Sequence, residues 1–209
     1  SIALTQCESN FFQMGVLRTN TSVRNLFFAQ NISVMGDYLT YVALVGLVKD
    51  ATDSTFLVSL IYAAYVLPSF FLSPLAGPIV DRFDRRKTII LISLLQALCG
   101  VGFLFANDSR IWLAFAAQIA ISSLSVVIVP AFGAALPNVV NNKEELRQAN
   151  VLFGSSWGAM VFLGSAIGGI FSATFGRTAT FGADIATFLI CGALVVMIRI
   201  PMQEKRTTE

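Results

Sequence analysis

The chain has 209 residues, 56% hydrophobic and only 12% charged, with a mean hydropathy of +0.74 and a net charge of +2. A soluble domain carries about 25% charge, so this chain could not cover its own surface with polar groups in water. A water-soluble globular domain is excluded, and no nucleic-acid partner is expected; the net charge itself says little, because in a membrane protein the placement of charge matters more than its sum.

A membrane span needs about 20 mostly apolar residues to cross roughly 30 Å of hydrocarbon. Six runs meet that requirement, at 26–48, 55–80, 88–106, 111–136, 149–175 and 178–200. The predicted fold class is an all-α membrane protein, a bundle of six transmembrane helices over 25–200, with an arm at 1–24 and a polar tail at 201–209. The arm begins with Ser1, and Met14 reads as a natural start. The stretch MGVLRT then fits a myristoylation pattern, which we take as a chance match because a six-span protein needs no lipid anchor. No charged region followed by a short apolar core and a small-residue cleavage site is present, so no cleaved signal peptide is expected.

In the first run Gln30, Ser33, Asp37 and Tyr41 fall within about 80° of one another on a helix. Polar groups facing lipid would go unsatisfied, so this stripe should face protein or water. Asp37 lies near mid-span, where an ionisable group costs roughly 2.5–3.5 kcal/mol and marks a functional site by default. The second run carries Pro68 and Pro74, expected to kink it. The connection at 77–87, GPIVDRFDRRK, follows with two acids and four bases. Asp81 and Arg85 are spaced as a helical ion pair, and Asp84 is placed to cap the third helix. Beyond the third run, Asn107-Asp108-Ser109 is a sequon that we read as a turn. The fourth run repeats the polar stripe with Gln118, Ser122 and Ser125, and contains Pro130. Taken singly, its serines and glutamine suit interhelical hydrogen bonds; the two stripes together suit a cavity lining. Asn142 and Glu145 are spaced as a capping box at the head of the fifth helix. That helix carries Gly154/Gly158 and Gly164/Gly168, each a G-x-x-x-G pair, with Gly169 beside them. Small residues of this kind let helix backbones approach closely in lipid. The sixth run holds Asp184, about two turns from its outer end, a second ionisable group within a span.

Charge placement gives the orientation. Arg18, Arg24, Arg82, Arg85, Arg86, Lys87, Lys143, Arg147, Arg199, Lys205 and Arg206 fall on one side, and Lys49, Arg110 and Arg177 on the other. By the positive-inside rule the side with eleven bases is cytoplasmic, as are both termini. There is no histidine, and the three cysteines, Cys7, Cys99 and Cys191, are far apart. No metal, cofactor or disulfide framework follows, no phosphate-binding loop supports an ATP-driven pump, and no enzyme is expected.

The charged connection reads G-x-x-x-D-R-x-x-R-R between the second and third spans. In Gly77, Asp81, Arg82, Arg85 and Arg86 it resembles the signature loop of the major facilitator superfamily. AQNISVMGDYL in the first span and LPNVVNNKEELRQANVL before the fifth resemble the exporter branch that includes macrolide and siderophore (enterobactin) efflux proteins. LGSAIGG resembles a fifth-span antiporter element, with Ser165 where proline is expected. The fourth span lacks an arginine that many proton-coupled members carry. The resemblance covers about 22–201, the first six of the family's usual twelve spans. It implies two inverted three-helix repeats, a C-terminal six-helix half supplied by the same gene or a second subunit, and rocking of the halves about a central site. It also implies that the first and fourth spans line the transport path, and gives Asp81 a conformational role. The expected function is secondary active, proton-coupled export of a small amphiphilic compound across a bacterial inner membrane. Asp37 is then the coupling residue and Asp184 the runner-up, with small-molecule substrate, protons and the lipid bilayer as partners. Uptake by the same fold, or a degenerate half-transporter acting as a membrane partner, are the alternative readings. The 209 residues read as the N-terminal part of a longer gene, against a self-contained half that pairs with another.

Overall fold

The lipid interior offers backbone N–H and C=O groups no partner, so each apolar run must close its own hydrogen bonds as a helix. The structure, a computed structural model, describes residues 15–202; Cys7, Met14, Lys205, Arg206 and the ends of the arm and tail lie outside the described residues. A turn of helix at Gly15–Thr19 leads into α1 (Thr21–Thr52), α2 (Thr55–Arg82), α3 (Arg85–Leu104), α4 (Ile111–Val139), α5 (Lys143–Phe175) and α6 (Arg177–Val196). All six are long and apolar enough to cross a membrane. The chain is an all-α, multi-pass membrane protein, and no strand occurs among the described residues.

The helices extend past the apolar runs because polar caps start them. Asn20 Oδ1 accepts from Ser22 N at 3.0 Å and Val23 N at 3.2 Å, opening α1 five residues before its apolar stretch. Asp84 Oδ1 accepts from Lys87 N at 2.9 Å, and Asn142 Oδ1 from Glu145 N at 2.9 Å, the two caps expected from the sequence. The reciprocal arm of the Asn142 box is displaced by one residue: the Glu145 carboxylate takes Asn141 N at 2.9 Å, and also Asn20 Nδ2 at 3.4 Å. α2 and α4 run continuously through Pro68, Pro74, Pro78, Pro130 and Pro137.

The packing has an internal symmetry. The extensive pairings are α1 with α5 and α6, α4 with α2 and α3, and α3 with α6. Exchanging α1 with α4, α2 with α5 and α3 with α6 leaves this set unchanged. Consecutive crossings alternate direction, so helices three apart run oppositely, as two inverted three-helix repeats require. α2 and α5 are also the outliers in burial, with 17% and 11% of their apolar windows covered against 39% to 50% for the others.

Two apolar clusters form the core. One, around Leu26, Ile89, Leu136, Phe153 and Val195, holds the end where α1 begins. The other, around Leu44, Ile61, Phe103, Ala117 and Phe188, holds the opposite end. On each of α1, α3 and α4 the stretch between the clusters includes polar residues that are buried or half-buried: Asn31, Ser33, Asp37 and Thr40; Ser93 and Gln96; Ser122 and Ser125. Asp184 and Thr187 add to this polar layer from α6.

Candidate functional site

The polar layer opens into a cleft on one side of the bundle. Gln30, Ser33 and Asp37 line it from α1, joined by Tyr65 of α2, Gln96 of α3, Ser125 of α4 and Trp157 of α5, with about 90 Å³ open to water. A wider recess of about 440 Å³ continues from it, sharing Tyr65, Ser125 and Trp157 and adding Ser69, Ser73 and Ser122. Three members of the α1 stripe therefore share a cleft with Ser125, and Ser122 lines its extension. Tyr41, the fourth member, is not in that lining; its ring packs 6.0 Å from that of Tyr65. Gln118 is buried and donates to Ser122 Oγ at 2.9 Å within its own helix. Ser125 Oγ accepts from Gln96 Nε2 at 3.0 Å, tying α3 to α4 at the cleft floor.

Asp37 is half-buried on the cleft wall. Tyr65 Oη donates to Tyr38 Oη at 3.4 Å beside it. The helix carrying it is pinned from behind by α5. A Cβ added at Gly164 would lie 2.6 Å from Met35 O, and one at Gly168 would lie 2.7 Å from Leu39 Cα. These two glycines set α5 directly on the α1 backbone either side of Asp37. Gly169 is looser, with Val42 Cγ1 at 4.0 Å, and Gly154 and Gly158 face open space. Residues that sequence periodicity missed are Tyr65, Gln96 and Trp157, none of which belongs to a polar stripe along its own helix.

The signature connection is built differently from the expected ion pair. α2 ends at Arg82 and α3 begins at Arg85, so Asp81 and Arg85 do not share a helix and form no salt bridge. Arg85 Nη1 instead donates to Ala134 O at 3.0 Å and Met202 O at 3.3 Å, and Arg86 donates to Val196 O. Arg86 thus reaches the carbonyl of the last residue of α6, which has no helical partner, while Arg85 ties the start of α3 to α4 and to the segment that follows α6. Asp81 and Arg82 are exposed, and Gly77 has open space around it. At the other end of the bundle Arg177 pairs with Asp50, joining α6 to α1. Among the described residues no group of acids, cysteines or histidines could hold a metal ion.

Comparison with known proteins agrees with this architecture. The sequence profile described as Major Facilitator Superfamily matches residues 26–209. The putative bacilysin exporter BacE of Bacillus amyloliquefaciens is 26% identical over 188 residues, covering 88% of this chain and 47% of BacE. The enterobactin exporter EntS of Salmonella typhi is 28% identical over 214 residues, covering 93% of this chain and 48% of EntS. The chain spans about half the length of the curated relatives it matches. A crystal structure of the peptide transporter POT with alafosfalin superposes with a TM-score of 0.73 at 14% identity, over 86% of this chain and 38% of that one, a likeness of fold.

Proposed function

The chain belongs to the Major Facilitator Superfamily, and on that premise we propose that it forms the six-helix half of a secondary active transporter exporting a small amphiphilic compound in exchange for protons. The observation that carries this reading is Asp37. A carboxylate at mid-span is expensive, and here it sits on the wall of a cleft rather than in a sealed core. A group whose exposure to water changes also changes its affinity for a proton, which is what coupling requires. The relatives named as exporters of bacilysin and enterobactin support the outward direction. The low burial of α2 and α5 supports a second six-helix half closing the cleft, with access alternating as the two halves rock. In this reading both termini and the 77–87 connection are cytoplasmic, in a bacterial inner membrane.

The test is efflux of a fluorescent substrate from energised vesicles carrying the full-length gene product, with and without a protonophore. Asp37→Asn should leave expression and fold intact and export no longer dependent on the proton gradient. A variant that still exports and remains protonophore-sensitive would remove Asp37 from the coupling role.

A further inference from the structure

At the end of the bundle where α3 begins and α6 ends lies a recess of about 340 Å³ that shares no residue with the cleft. Arg86 and Lys87 line it from the first turn of α3, and Arg199 lines it from the segment that follows α6. Asp84 is the one acid in the lining. Its Oδ1 accepts from Lys87 N at 2.9 Å, so that carboxylate is already engaged in capping α3. With three bases against one acid, the recess is net positive.

The protein itself compensates this charge poorly. α3 opens with Arg85, Arg86 and Lys87, and no acid stands in its first turn. At that end of a helix the backbone dipole favours anions and disfavours cations. Arg85 and Arg86 donate to carbonyls of neighbouring elements. Lys87 and Arg199 are exposed, and among the described residues neither forms a salt bridge. Holding bases on one side of the membrane explains their number. It does not require that two separate stretches of chain gather them around one recess.

The recess is also preformed. Arg85 Nη1 and Asn138 Nδ2 both donate to Met202 O, at 3.3 Å and 3.1 Å, and Ile198 and Met202 are each 1% exposed. The segment bearing Arg199 is thus anchored on either side, and an anion would meet cations already in place. Beyond the charges the surroundings are apolar. Lys87, Leu91, Leu94 and Leu98 fall within about 60° of one another on α3, and the three leucines are exposed. A stripe of leucines therefore runs from the Lys87 ammonium into the span.

We propose that this recess binds the phosphate of an anionic phospholipid, with Lys87 and Arg199 as its charged contacts and an acyl chain laid along Leu91, Leu94 and Leu98. Basic pockets between spans hold lipid headgroups by this chemistry. The site does not depend on the coupling role assigned to Asp37. A phosphate free in solution offers the same charge without the chain, and the experiment separates the two.

The experiment is native mass spectrometry of the full-length gene product in mild detergent, titrated with dioleoyl phosphatidylglycerol or dioleoyl phosphatidylcholine. The double variant K87Q/R199Q removes two charges from the recess, and K143Q/R147Q removes two from the same end of the bundle outside it. All four side chains are exposed, so neither variant disturbs the core. Each base near a membrane surface is worth about fivefold in anionic-lipid affinity, so K87Q/R199Q should bind phosphatidylglycerol about 25-fold more weakly. K143Q/R147Q should bind it as wild type does. Equal losses in the two variants would mean attraction by the whole charged surface and would overturn the site. Phosphatidylcholine held as tightly as phosphatidylglycerol would overturn the preference for an anion. Inorganic phosphate, added as a competitor, should leave the lipid bound. Displacement of the lipid at matching concentrations would make the occupant a soluble phosphate and refute the lipid.

Discussion

The contact between α5 and α1 can be tested by adding one methyl group. In Gly168→Ala the new Cβ would lie 2.7 Å from Leu39 Cα and 2.9 Å from Leu39 O, where ordinary contact begins at 3.4 Å. Both obstructing atoms are backbone, so no side chain can rotate out of the way. α5 must back off by about 0.7 Å, the difference between 3.4 and 2.7. Overpacking of this kind costs about 1–3 kcal/mol. Against it stands the helix propensity of alanine over glycine, worth about 0.8–1.0 kcal/mol. Gly154→Ala gains the same propensity and meets nothing within 4 Å, so it isolates the steric part. Gly168→Ala should therefore be less stable than Gly154→Ala by about 1–3 kcal/mol, read from reversible denaturant unfolding in mixed micelles. Two variants agreeing within about 0.5 kcal/mol, the usual scatter for inconsequential sites, would mean that α5 does not rest on the α1 backbone.

Three further expectations concern the helix ends. With the native cysteines removed, single cysteines at Asp53 and Ser109 should label from outside intact cells and one at Arg82 should not; external labelling at Arg82 would reverse the proposed orientation. Asp81→Asn keeps all four bases of its connection, so it should insert normally yet lose most transport if Asp81 contacts the other half, whereas near-normal transport would leave the loop as an anchor alone. Asn20→Ala removes the cap of α1 and the 2.8 Å bond from Asn20 Nδ2 to Val139 O. It should cost about 0.5–2 kcal/mol in the same unfolding assay, and an unchanged midpoint would discount the tie between α1 and α4.

Hydropathy alone found the six helices because hydrocarbon leaves a spanning chain so few options. It missed their ends, where Asn20, Asp84 and Asn142 extend helices with residues that no apolar window would include. The α1 stripe was legible from periodicity, since a helix puts residues three and four apart on one face. The company it keeps was not: that Gln96 and Tyr65 join Asp37 depends on which helices stand beside α1, and spacing within one helix carries no such information. Asp184 was visible as an acid about two turns from the outer end of its span, but its approach to α1 at Gly36 has meaning only once α6 is seen against that glycine. The Asp81–Arg85 spacing was misleading for a local reason. Asp84 starts a new helix between them, and Arg85 reaches α4 and the segment after α6 instead.

The glycine contacts also limit how a coupling site at Asp37 could work mechanically. Gly164 and Gly168 seat α5 on α1 along Met35 and Leu39, and Gly36 seats α6 on the same stretch. Asp37 is thus held on a three-helix block, and swinging it from one side of the membrane to the other would mean breaking the tightest joints in the bundle. α2, which carries Tyr65, leans mainly on α4 and touches α1 far less. If the halves rock as proposed, the acid would serve as a fixed seat and the walls that admit or shut out water would do the moving: the Tyr65 helix and whatever closes the uncovered side.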